Sequence, residues 1–135
     1  MEIIYQLTDS HVEELHALYQ KQWWSSARSL EETRRGVLGS QICIGIIDDN
    51  QSLIGFTRVL TDFIFKAMIF DVIISEPYRK MGIGEQLITA IKNHPDLKAV
   101  KHVELYCRPE LVAFYQRLGF SADVVGMSLM RLVKN

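Results

Sequence analysis

The chain has 135 residues, 48% of them hydrophobic and 23% charged, and a formal net charge of -1. That length suits a single domain over residues 1–135 with a real core, and the near-zero charge excludes a global basic field calling for nucleic acid. Cys43 and Cys107 lie in strand-like runs without CxxC or His-rich spacing, which argues against a disulfide framework or a zinc site and for a reducing cytoplasm. The opening MEIIYQLTDSHVEE lacks a basic stretch followed by a long apolar run and so reads as no signal peptide. No apolar run reaches membrane-spanning length.

In chain order, Glu2 to Leu7 reads as a first strand. Ser10 and Glu13 form a capping-box pattern that opens a helix with Val12, Leu15, Leu18 and Tyr19 on one face. A second box, Ser29 with Glu32, opens a helix carrying Leu30, Thr33, Val37 and Leu38 that stops at Gly39. Gln41 to Ile47 and Leu53 to Thr61 read as the two strands of a hairpin around the turn cluster Asp48-Asp49-Asn50-Gln51. Ala67 to Ser75 is almost wholly apolar, which predicts a central strand buried on both faces, with Asp71 as its one charge. Strict alternation would turn Asp71 away from Met68, Phe70 and Val72.

Pro77 ends that strand. A loop, Arg79-Lys80-Met81-Gly82-Ile83-Gly84, then leads into a helix with Ile83, Leu87, Ile88 and Ile91 on one face, stopping before Pro95. His102 to Cys107 reads as a strand, Pro109 to Gly119 as a helix with Leu111, Phe114, Tyr115 and Leu118 on its apolar face, and Gly126 to Val133 as a final strand. The result is a mixed sheet with helices packed on it, hairpins first and a strand–helix–strand unit after.

The loop is an anion site by its chemistry. Two glycines let successive N–H groups face one point, and a helix start at about Gly84 adds unpaired amides and the positive end of its dipole. Arg79 can grip a phosphate with two hydrogen bonds and Lys80 supplies a point charge. No GxxxxGK[ST] is present, and after Gly82 and Gly84 the third Rossmann position is Leu87, so both common nucleotide motifs fail. A plain glycine turn into a helix is the remaining reading of the loop alone.

A second stretch bears on that choice. PYRKMGIGEQLI, with Arg79, Gly82 and Gly84 in the pattern [R/Q]-x-x-G-x-[G/A], and AFYQRLGF, ending in Gly119-Phe120, together resemble the GNAT superfamily of acyl-CoA-dependent N-acyltransferases, in particular its small, compact bacterial members. The resemblance covers essentially the whole chain. It implies an α/β (α+β) fold with a mixed, mostly antiparallel sheet of six to seven strands and about four helices. It implies transfer of an acetyl group from acetyl-CoA, or another acyl-CoA, to a primary amine, small-molecule or peptide. No metal, nucleic acid or membrane partner follows from it, and a homodimer fits a domain this small.

By the same resemblance the pyrophosphate would lie on the amides of Lys80, Met81, Gly82, Ile83 and Gly84, with Arg79 heading the loop. The pantetheine arm would pair with the backbone of Val72, Ile73 and Ile74 where two strands splay apart. The amine attacks the thioester directly, so its ammonium must lose a proton, the oxyanion needs a donor and the thiolate an acid. Tyr115 stands at the family's acid position, and a phenol stays protonated at neutral pH; otherwise its ring packs beside Leu111 and Leu118. Met68 occupies the position where some members carry a glutamate base. That departure leaves a water chain open as base, Asp71 open as either a hydrogen-bonded structural acid or a substrate contact, and the chain open to the alternative of a non-catalytic acyl-CoA-binding module.

Trp23, Trp24 and Arg28 fall where the family builds its acceptor pocket, and aromatic faces there could hold an ammonium. One of the two tryptophans is expected to anchor the first helix instead. Phe63 and Phe65 are similar candidates for an acceptor wall. Cys107 reads as a small buried residue, Arg108 as a cofactor contact or merely a helix leader, and His11, His16, His94 and His102 show no ligand spacing.

Overall fold

The structure, a computed structural model, describes residues 1–134, and its packing divides the chain into two units, Met1–Leu105 and Tyr106–Asn135. In the first, β1 (Glu2–Ile4) is followed by α1 (Asp9–Gln20), α2 (Leu30–Leu38), β2 (Ile42–Ile47), β3 (Leu53–Thr61), β4 (Lys66–Ile74), α3 (Ile83–Lys92) and β5 (His102–Glu104). The predicted box at Ser29 forms, with Ser29 Oγ accepting from the Glu32 amide at 3.0 Å. The start of α1 differs. Thr8 caps it rather than Ser10: Thr8 Oγ1 accepts from the His11 amide and His11 Nδ1 accepts from the Thr8 amide, each at 3.2 Å. His11 does what a glutamate was expected to do, and with Nδ1 accepting, its Nε2 donates to the Gln51 carbonyl at 3.0 Å.

The sheet has five strands in the order β1-β2-β3-β4-β5, antiparallel except for the β4–β5 pair. Neighbouring β3 residues show how it is covered. Phe56 packs with Leu15, Leu18 and Tyr19 of α1, whereas a Cβ on Gly55 would stand 2.9 Å from Ile83 Cγ2 of α3, so the two residues face opposite layers. Gly55 is what lets the first turn of α3 lie directly on the sheet.

Two expectations about β4 are corrected. It is not the central strand: β3 is, β2 is buried along its whole length, and β4 is half-buried from Phe70 to Val72. Its unbroken apolarity cannot distinguish a central strand from one whose second half is paired on one side alone. Nor does alternation hold. Arg58 pairs with Phe70 but Phe56 pairs with Ile73, so one extra residue is inserted in β4, and Asp71 sits there with φ 58°. The bulge turns Asp71 to the face shared by Phe70 and Arg58, the face it was expected to avoid.

In the second unit a 3-10 turn at Pro109–Leu111 leads into α4 (Val112–Arg117), and Gly119, at φ 100°, ends it. The expected strand at Gly126–Val133 does not form: residues 127–134 carry no ladder, and Met127, Leu129, Met130, Leu132 and Val133 are exposed. An apolar pattern specifies a face, but a strand exists only where its amides are paired. The observed sheet is therefore smaller than the six or seven strands expected, with four α-helices among the described residues. The His102–Cys107 run likewise shortens to His102–Glu104, because its pairing with β4 stops at Met68 and Glu104.

Candidate functional site

The glycine loop coils, but only one of its two glycines turns left-handed, since Gly84 lies inside α3. Lys80 and Gly82 both take left-handed backbone, at φ 64° and 79°, so the chain coils between them. Gly82 is the N-cap of α3 and has no side chain to satisfy the amides of the first turn, which begins at Ile83, one residue earlier than expected. The amides of Ile83, Gly84 and Glu85 therefore point out of the helix end without intrahelical acceptors. No atom approaches within 4 Å of where a Gly82 Cβ would stand, so the glycine is required by its backbone angle rather than by crowding. Arg79 is tied back to the strand: its Nε donates to the Ile74 carbonyl at 3.3 Å. Lys80 and Met81 are exposed. These are unpaired helix-start N–H groups with two cationic residues in the preceding loop, a combination chemically suited to a diphosphate.

Val72, Ile73 and Ile74 follow the last β4–β5 pair, Met68 with Glu104. On the β3 side the ladder continues through Ile73–Phe56 and Ile74–Gly55. The β5 side of this stretch carries no ladder, so its main-chain groups on that side lie outside the sheet's pairing.

A side-chain cluster lies on the α1 face of the bulge. Asp71 Oδ2 accepts from the Tyr19 hydroxyl at 2.9 Å, from Arg28 at 2.7 Å and from Arg58 Nε at 2.7 Å, and Oδ1 accepts from Arg28 at 3.3 Å. The Asp71 side chain is only 6% exposed. Burial alone would raise its pKa, but hydrogen bonds from Arg28 and Arg58, with their charge, outweigh burial and hold it below the usual carboxylate range. Tyr19 is pushed up, by burial first and then by Asp71, and stays a donor. The Arg28 guanidinium lies 4.5 Å from the Tyr19 ring centre and 5.4 Å from that of Trp24, and Arg58 lies 5.1 Å from that of Phe70.

Of the four acceptor-side candidates, the structure thus brings Arg28, Trp24 and Asp71 into one cluster. Trp24 also packs edge-on to Tyr19, with centroids 6.1 Å apart, whereas Trp23 is 71% exposed. Phe63 and Phe65 are exposed beside the β3–β4 turn, where Phe65 carries Lys101 5.6 Å from its ring centre. Sequence reasoning missed Tyr19 and Arg58. A signal existed: Arg58 is the one charge of β3, Asp71 the one charge of the Ala67–Ser75 run beside it, and a buried Tyr hydroxyl needs a partner.

In the second unit Tyr115 is buried, with edge-on contacts to Phe114 at 5.0 Å and Phe120 at 5.9 Å. Burial, and then the neighbouring Cys107, pushes its phenol up to about 12, so it is neutral and able to donate at physiological pH. Cys107 is itself raised, by burial and by Glu110, which makes it a poor nucleophile. Arg108 Nε lies 3.5 Å from a Glu110 carboxylate oxygen.

Residues 4–120 match the Acetyltransferase (GNAT) family. Among curated relatives, an uncharacterized N-acetyltransferase, ycf52, of Pyropia yezoensis is 31% identical over 120 residues, covering 87% of this chain and 68% of its own length. Among solved structures, a protein of Xanthomonas campestris pv. campestris described as belonging to the GNAT family superposes with TM-score 0.82 at 24% identity, over 99% of this chain and 94% of that one. An aminoglycoside 6'-N-acetyltransferase complexed with coenzyme A superposes with TM-score 0.73 at 15% identity, over 88% of this chain and 84% of that one. At these identities the two structures establish the shared fold.

Proposed function

The chain belongs to the acetyltransferase (GNAT) family, and from that premise we propose that it transfers an acetyl group from acetyl-CoA to a primary amine by direct attack in a ternary complex. The observation that carries this reading is the uncapped, left-handed loop ahead of α3, whose unpaired first-turn amides suit the diphosphate of coenzyme A. The acyl-CoA supplies the activated thioester carbonyl. The chain supplies position and protons. Lys80, Met81, Gly82, Ile83 and Gly84 hold the diphosphate through their amides, with Arg79 at the head of the loop. The unladdered side of Val72, Ile73 and Ile74 offers main-chain groups to the amide-bearing arm.

Tyr115 donates the phenolic proton from Oη to the departing sulfur, a role supported by its neutral state at working pH and by the family pattern. Asp71 is committed to three partners and Met68 has no proton-accepting group, so water takes the ammonium proton. Trp24 and Arg28 line the acceptor side, and a small-molecule or peptide amine is the substrate class.

Acetyl-CoA should raise the melting temperature where ATP and NAD do not, and free thiol should appear only when a suitable amine is added. Stabilisation without thiol release from any amine would make the protein an acyl-CoA-binding module. Replacing Tyr115 with Phe should lower kcat by about a hundredfold, the scale of a lost general acid, with acetyl-CoA affinity retained. Untouched turnover would remove Tyr115 from the mechanism.

A further inference from the structure

The Asp71 cluster joins side chains from four parts of the chain at one carboxylate. Tyr19 comes from α1, Arg28 from the segment between α1 and α2, Arg58 from β3, and Asp71 from the bulge itself. The bulge residue is a non-glycine at φ 58°, a conformation Asp tolerates but that persists only where surrounding structure holds it. The next residue, Val72, lies in the part of β4 beyond its last pair with β5, Met68 with Glu104. Arg28 meanwhile fixes the end of residues 21–29, since its backbone carbonyl accepts from His16 Nε2 at 3.1 Å and from Gln20 Nε2 at 2.9 Å while its guanidinium reaches Asp71. The carboxylate thus ties the strand that would carry the thioester arm to the segment that carries Trp24.

We infer that Asp71 is a positioning residue, a pin that sets the geometry of the β4 bulge and of residues 21–29 together. It touches neither donor nor acceptor. Its effect on turnover rests on the acetyl-transfer reading; its effect on the two segments does not. A displacement of about 1 Å between reacting groups can cost on the order of a hundredfold in rate, so loosening the pin should act on kcat far more than on the binding of a diphosphate by a loop that Asp71 does not contact.

The test is Asp71→Asn in the full chain, with amide hydrogen exchange read by residue, acetyl-CoA affinity by calorimetry, and kcat and KM for an amine that the wild type accepts. Exchange should quicken by about tenfold or more at residues 69–73 and at 21–29 together, while the amides of α3 are unchanged. The acetyl-CoA dissociation constant should stay within about threefold, and kcat should fall by about a hundredfold. Quickening confined to one segment, or none, would overturn the pin, as would unchanged kcat in an active protein. If Asp71→Asn does not fold, Arg28→Gln severs one arm and leaves Arg58 and Tyr19 in place. Quickened exchange at residues 70–72 in that variant supports the coupling, and its absence refutes it. A wild type that releases no thiol with any amine refutes acetyl transfer, and the exchange measurement then still decides the pin.

Discussion

The glycine loop before α3 and the Asp71 cluster are built in opposite ways. The loop presents main-chain amides from five consecutive residues, Lys80 to Gly84, and its shape rests on left-handed backbone at Lys80 and Gly82. The cluster uses side chains from positions 19, 28, 58 and 71, separated by up to 52 residues, around a carboxylate that is nearly out of solvent. A backbone site tolerates changes of side chain but not of conformation. A side-chain site tolerates neither loss of charge nor loss of reach. The difference should be visible in variants.

The largest effect belongs to the cluster. Asp71→Ala leaves two guanidiniums and a phenol without their acceptor, and removing one partner of a buried ion pair costs about 3–5 kcal/mol. Because Arg28 is about a third exposed, with 32% of its side chain accessible, the low end of that range is expected in urea unfolding. In the loop, Gly82→Val forces a β-branched residue to φ 79°, at roughly 1–2 kcal/mol. Acetyl-CoA affinity should drop about tenfold, because the amides no longer converge.

Acid sharpens the contrast. Asp71 has a folded-state pKa below its unfolded value, so the folded chain binds fewer protons there, and its contribution is present above the unfolded pKa of about 3.9 and lost as pH falls through the folded value. The wild type should therefore lose more stability between about pH 5 and pH 3 than Asp71→Asn does; equal losses would mean that the pair is not coupled to folding. The smallest change is expected from Lys80→Ala, an exposed charge at the rim. Affinity should fall only about two- to fivefold, and less at high salt.

The same contrast explains what could be read in advance. Arg79, Gly82 and Gly84 are neighbours in the chain, so their spacing is their geometry, and Gly119-Phe120 ends α4 as its pattern implies. The hairpin β2–β3 and the Ser29 box were likewise legible, each resting on local periodicity and capping. Asp71 was not. Its orientation depends on one inserted residue, which no alternation pattern reports because the pattern assumes that nothing is inserted. Gly55 was passed over because its role, room for Ile83, belongs to a helix that begins 28 residues later. The Gly126–Val133 strand was wrongly expected for the complementary reason: its pattern is local, but its pairing is not.

The acetyl-transfer account is tested most directly by mixing the pure protein with acetyl-CoA and a panel of primary amines and following free thiol. Amine-dependent release, rising with pH as the acceptor loses its proton and lowered about tenfold by Gly82→Val at low acetyl-CoA, is the predicted result. Tight acetyl-CoA binding with no thiol released by any amine would contradict it.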